Sequence, residues 1–170
     1  MVHPGHFNLS FELGLALEAD PAPDWREIAR CYTAARAARP RSIEALHRLG
    51  QAWDRGIVLG GASAGSLCWF EEGTPDSRPK ELTTVQGLGF IKGSHSPHYD
   101  AEPGRRPLYQ KLIASGQMKP GYACDNDAGI YFEDNTVKRV VATRSGAKVY
   151  YVSIVGGSVA ERVMEPEMIR

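Results

Sequence analysis

The chain has 170 residues, enough for one domain with a real core, and its 42% hydrophobic and 24% charged fractions are ordinary globular values. Twenty Lys and Arg cancel twenty Asp and Glu, so no basic footprint points to nucleic acid or to an anionic membrane surface. No apolar run approaches the ~18 residues of a membrane span, the start from Met1 to His6 lacks the basic region and long apolar core of a secretory signal, and the scattered Cys31, Cys68 and Cys124 read as reduced thiols of a cytoplasmic protein.

Phe7 to Leu17 is apolar with Gly14 at its middle, and fits either a strand or a short helix. His3 and His6, isolated near the start, read as solvated. Asp20-Pro21-Ala22-Pro23-Asp24 is a stop followed by a start, with Asp24 suited to cap a helix. Trp25 to Arg39 follows as an Ala- and Arg-rich helix with Trp25, Ile28, Ala29 and Tyr32 on one face, ended by Pro40. Ser42 opens a second helix, Ile43 to Arg55, with Ile43, Leu46, Leu49 or Gly50, and Trp53 at near-helical spacing, and Gly56 closes it. His47 on that helix reads as a surface residue.

Ile57-Val58-Leu59 has the composition of a buried parallel strand. Gly61-Ala62-Ser63-Ala64-Gly65 comes next, and Leu67 to Phe70 continues without a breaker. Strand, glycine-flanked serine and helix is the context of a G-x-S-x-G nucleophile elbow. The turn would lift the Ser63 hydroxyl to the helix N-terminus, where the Ala64 amide and the helix dipole can stabilise an oxyanion. Side chains at Gly61 and Gly65 would collide with neighbouring elements. The plain alternative is a glycine-rich strand-to-helix turn that binds an anion.

Glu71 to Pro79 is a loop, since two prolines and a glycine forbid regular structure there. Gly87 to Ile91 reads as a short strand leading into a loop that carries His95 and His98, and loops at strand ends hold catalytic groups in open α/β sheets. The pair is a weak metal signal without a third ligand nearby. Pro107 lies in the first turn of a helix ending near Ser115, before Gly116. Gly121 to Cys124 is a strand that ends in Asp125-Asn126-Asp127. The rest reads as hairpins over Ile130 to Phe132, Val137 to Thr143 and Lys148 to Val155, then a turn at Gly156-Gly157-Ser158 and a charged tail.

A serine hydroxyl needs a base to take its proton, and the base needs an orienting group. Ser63, one of His95 or His98, and one of Asp76, Asp125 or Asp127 supply the three roles from the ends of successive strands. Spacing alone does not choose among them.

The ordered series from Gly61 through Gly73, Asp76-Ser77, Gly87 to Phe90, Gly93 to Asp100, Arg105-Arg106-Pro107, Leu112 to Gly116 and Gly121 to Asp125 resembles the peptidase E-like serine peptidases, which include aspartyl dipeptidases and cyanophycinases. The resemblance runs from about Trp53 to Tyr151. It implies a flavodoxin-like α/β fold akin to class I glutamine amidotransferases, a mostly parallel sheet flanked by helices, here with a C-terminal β-hairpin region. It places the nucleophile on Ser63 and the base on His98, and favours Asp125 as the acid, with Asp76 next and Asp127 a further alternative. It implies no metal and no organic cofactor, and small peptide substrates cut beside an aspartyl residue, whose carboxylate Arg105 or Arg106 would pair with. Residues 1–170 are read as one domain, with an atypical helical part over 1–56 and a catalytic core over 57–155. Met1 to Gly56 lacks the family's Gly-Gly-Gly-Asn turn, which carries half of the oxyanion hole, so the N-terminal portion reads as shortened or replaced. Losing one oxyanion donor costs on the order of 10²–10³ in rate, and missing sheet strands favour a homodimer. The competing readings are a catalytically impaired binding or assembly subunit and a related hydrolase of non-peptide acyl substrates.

Overall fold

Residues 5–38, 43–74 and 84–169 are described by a computed structural model of the protein. The chain groups into two units, Met1–Gly60 and Gly61–Arg170, where the sequence reading treats it as one domain with its internal division at residue 56.

The first unit is helical: α1 (Gly5–Glu18), α2 (Trp25–Ala38) and α3 (Ile43–Asp54). Asp24 opens α2 as expected, its carboxylate accepting the Arg26 N–H at 3.0 Å. Ile28, Ala29, Tyr32, Ala35, Ala45, Leu49 and Ala52 are buried. Trp25 is only half-buried and carries the Arg55 guanidinium 4.0 Å above its ring. The ambiguous opening segment is a helix, and Gly14 has a packing role within it. A Cβ there would come 2.7 Å from the Tyr32 ring, which instead tilts against Phe11 at 5.5 Å. Glu18 and Arg48 tie α1 to α3 at 2.6 Å. Ile57 to Leu59, expected as a strand, runs as irregular chain.

The second unit is mixed α/β. After the short α4 (Ala64–Leu67) come β1 (Phe70–Gly73), β2 (Val85–Gln86), β3 (Ile91–Ser96), α5 (Arg105–Ala114), β4 (Gly121–Cys124), β5 (Ala128–Glu133), β6 (Thr136–Ala142), β7 (Val149–Val155), β8 (Ser158–Met164) and β9 (Glu167–Met168). Six strands form one sheet in the order β2-β1-β3-β4-β7-β8, and β5-β6-β9 form a second. Neighbours β1, β3 and β4 are parallel, whereas β2, β7 and β8 pair antiparallel. The mostly parallel flavodoxin-like sheet is thus corrected to a mixed one. The reason is connectivity. A helical crossover, α5, joins β3 to β4 and keeps them parallel, but the β5–β6 hairpin joins β4 to β7, so β7 returns in the opposite sense. The C-terminal hairpins are present as β5–β6 and β7–β8, and the charged tail contains strands β8 and β9.

Helix α5 covers the large sheet. Tyr109, Leu112 and Ile113 pack with Tyr99, Met118, Ala123, Tyr150 and Val152 into a buried cluster, and Cys124, Val140 and Val149 join the two sheets in another. This core fixes the ends of β3 and β4, from which the site is built.

Candidate active site

Ser63 caps α4 with φ 55° and ψ −122°, a left-handed conformation that costs a non-glycine residue about 1–3 kcal/mol and persists only where surrounding bonds enforce it. Its carbonyl accepts the N–H groups of Ser66 at 3.0 Å and Leu67 at 3.1 Å. The flanking glycines are not equivalent. A Cβ at Gly61 would lie 2.4 Å from the Gly65 carbonyl oxygen, while one at Gly65 would meet nothing within 4 Å. The expectation of a collision at both therefore holds at Gly61 alone. Ala64, the expected oxyanion donor, supplies the first amide of α4, directly after Ser63.

Helix α4 has only four residues, shorter than the expected run to Phe70, and β1 starts where that run would end. His98 lies in the turn after β3 with φ 56°. The structure brings it to Ser63: the imidazole Nε2 is 2.8 Å from the Ser63 hydroxyl. On the far side of the ring, Nδ1 is 2.6 Å from the side-chain oxygen of Asn126. An amide oxygen only accepts, so Nδ1 carries the proton and Nε2 presents a lone pair to the serine hydroxyl. This is the tautomer a general base requires.

Asn126 follows β4, the parallel neighbour of β3, so His98 and Asn126 leave adjacent strands at the same edge. Its backbone is held on both sides. The Asp100 carboxylate accepts the Asn126 N–H at 2.8 Å, and the Arg144 guanidinium donates to the Asn126 carbonyl at 2.9 Å. Arg144 also bonds Asp100 at 2.6 Å and Asp127 at 3.1 Å.

Asp125, expected as the orienting acid, is not brought to His98. Its carboxylate accepts the Lys148 N–H at 2.9 Å, and burial raises its pKa above the usual carboxylate range. The chain leaves β4 and turns at Asn126-Asp127, and the residue that reaches the imidazole is one position further on, Asn126. Asp127 is engaged by Arg144, and Asp76 lies outside the described residues.

His95, the other candidate base, sits on β3 and not in a loop, and is 3% exposed. Its ring stacks on Phe70 at 4.7 Å, its Nδ1 is 3.1 Å from the Tyr122 carbonyl, and its Nε2 is 2.9 Å from the Ser66 hydroxyl. Loss of solvation lowers its pKa to about 4. Arg105 is fully buried, donating to the Thr74 carbonyl and to Glu102. Arg106 pairs with Glu161 and lies over the Tyr150 ring at 4.9 Å. Both guanidinium groups expected to meet a substrate carboxylate are thus bonded to the protein itself.

Sequence reasoning missed Asn126, Asp100, Arg144 and Ser66. Asn126 stands in the sequence between Asp125 and Asp127, whose charge marks them as partners for an imidazole. Among the described residues, no three His, Cys, Asp or Glu side chains gather as a metal site, and no helix is long and apolar enough to cross a membrane.

The chain matches the model of "Peptidase family S51" over residues 39–140, a stretch that contains Ser63, His98 and Asn126. It belongs to peptidase family S51. A curated relative from Bacillus subtilis (strain 168), "Uncharacterized peptidase YgaJ", is 45% identical over 115 residues, which are 68% of this chain and 50% of the relative. The chain therefore spans about half the length of that curated relative. S51 membership agrees with the peptidase E-like resemblance of the sequence.

Proposed function

We propose that this chain is a serine-type peptidase that works through an acyl-enzyme, with Ser63 as nucleophile, His98 as base and Asn126 as the group that orients the base. The contact that carries the reading is the 2.8 Å approach of His98 Nε2 to the Ser63 hydroxyl, with Nδ1 engaged by Asn126 at 2.6 Å. In the first step Ser63 Oγ bonds to the substrate carbonyl carbon and its proton passes to His98 Nε2. The carbonyl oxygen becomes an oxyanion beside the Ala64 amide. Collapse breaks the C–N bond, and the His98 proton leaves with the amine. Water then attacks the ester, giving its proton to His98, and Ser63 is regenerated. The uncharged Asn126 holds the imidazole orientation without adding a negative charge, as in Cys-His-Asn proteases.

An aspartyl dipeptidase-like exopeptidase of the cytoplasm is the finer reading, supported by the peptidase E-like residue series. A fluorophosphonate probe tests the mechanism. Mass spectrometry should find the adduct on Ser63, absent in Ser63→Ala and slowed on the order of 10²–10⁴-fold in His98→Ala. Asp-Xaa dipeptides should then be cleaved in preference to simple esters. A folded chain that takes up no probe would be a non-catalytic binding or assembly subunit.

A further inference from the structure

Behind the nucleophile lies a second hydroxyl–imidazole pair that the reaction above does not use. The Ser66 hydroxyl is 2.7 Å from the carbonyl oxygen of Ser63 and 2.9 Å from His95 Nε2. On the other side of the His95 ring, Nδ1 faces the Tyr122 carbonyl at 3.1 Å. A carbonyl only accepts, so Nδ1 carries the proton and Nε2 is an acceptor. Burial keeps the ring neutral. The one hydroxyl hydrogen of Ser66 is therefore shared between the His95 ring and the carbonyl of the nucleophile.

The ring itself has little freedom. It is stacked face to face on Phe70, with 15° between the planes, and His95 is the register partner of Tyr122 across β3 and β4. The links run from the β4 backbone through His95 and Ser66 to the Ser63 carbonyl. Helix α4 is four residues long and its cap makes no side-chain hydrogen bond, and the backbone N–H groups that the Ser63 carbonyl accepts, those of Ser66 and Leu67, come from that same short helix. His95 and His98 also leave the same segment, three positions apart. The anchor and the base thus share one frame.

We propose that Ser66 and His95 are positioning residues for Ser63, tying the carbonyl of the nucleophile to the β3–β4 pair and thereby holding its hydroxyl at His98 Nε2. What the hydroxyl does there rests on the serine-peptidase reading; where it is held does not.

The test uses the purified chain and two readouts. The first is the rate of Ser63 labelling by a fluorophosphonate at saturating probe. The second, independent of any reaction, is the ring ¹⁵N resonance of His98 Nε2, with Ser63→Ala as the reference for an imidazole that has lost its hydroxyl. Ser66→Ala should label on the order of 10- to 100-fold more slowly at unchanged probe affinity, and move the His98 resonance toward that of Ser63→Ala. Ser66→Thr, which keeps a hydroxyl, should restore both. Wild-type values of both readouts in Ser66→Ala would overturn the proposal, as would a labelling loss with an unmoved resonance, which is general destabilisation. If the wild-type chain takes no probe, the peptidase reading fails and the resonance alone decides the positioning. Should Ser66→Ala not fold, His95→Gln is read in the same way: an intermediate shift of the His98 resonance supports the proposal, and the wild-type position refutes it.

Discussion

His98 Nδ1 meets the amide oxygen of Asn126 at 2.6 Å, across the ends of two parallel strands. The partner is uncharged, so it orients the ring without placing a charge beside it. Asn126→Asp places a negative charge there, which favours the protonated imidazole. The acid limb of the kcat/KM profile should then move to higher pH, because the base acts only when neutral. Asn126→Ala should lower kcat/KM by less than the ~10²–10⁴-fold loss of His98→Ala.

Asp125 supplies the opposite test. Its carboxylate serves the Lys148 amide and not the imidazole. An amide oxygen at the same position accepts that bond equally well. Asp125→Asn should keep kcat/KM within about twofold and cost no more than about 1 kcal/mol in urea unfolding. A loss as large as that of His98→Ala would return the orienting role to the carboxylate.

The one-residue displacement from Asp125 to Asn126 shows where legibility ended. The turn at Ser63 was readable because G-x-S-x-G encodes a local backbone shape, and helices α2 and α3 because spacing and a capping Asp24 are local. The direction of β7 was not readable, because it depends on what connects it to β4. His95 looked like a loop histidine, since its cover, Phe70, comes from another strand. Which of three consecutive polar residues faces the imidazole is likewise decided by the twist and exit angle of β4, about which Asp125-Asn126-Asp127 says nothing by itself.

The glycines at the elbow should separate cleanly in a thermal melt. Gly61→Ala drives a methyl to 2.4 Å from the Gly65 carbonyl oxygen. Overpacking of that kind costs about 1–3 kcal/mol, and each kcal/mol lowers Tm by about 2–4 °C in a chain of this size. Gly65→Ala enters open space within α4 and should be neutral or stabilising by up to about 1 kcal/mol.

His95 makes acid stability a further test. In the unfolded chain this imidazole protonates near pH 6.5, and in the fold only near pH 4. Below the first value the unfolded state holds the extra proton, so stability falls as pH drops from 6.5 and has lost roughly 3 kcal/mol from this group by pH 4. Above pH 6.5 the contribution is complete. His95→Gln, which cannot titrate, should show a correspondingly shallower decline of unfolding free energy across that window. Parallel curves for the two proteins would contradict the buried neutral ring.

The separation of His98 from Asn126 is set by the rungs between β3 and β4, yet the stretch that links those strands is a full helical detour through α5. Length changes in the detour therefore need not propagate to the pair. Extra residues spliced into the exposed Ser115–Gln117 corner would lengthen the path without respacing the two side chains, which makes that corner a natural point for grafting a recognition segment onto this scaffold.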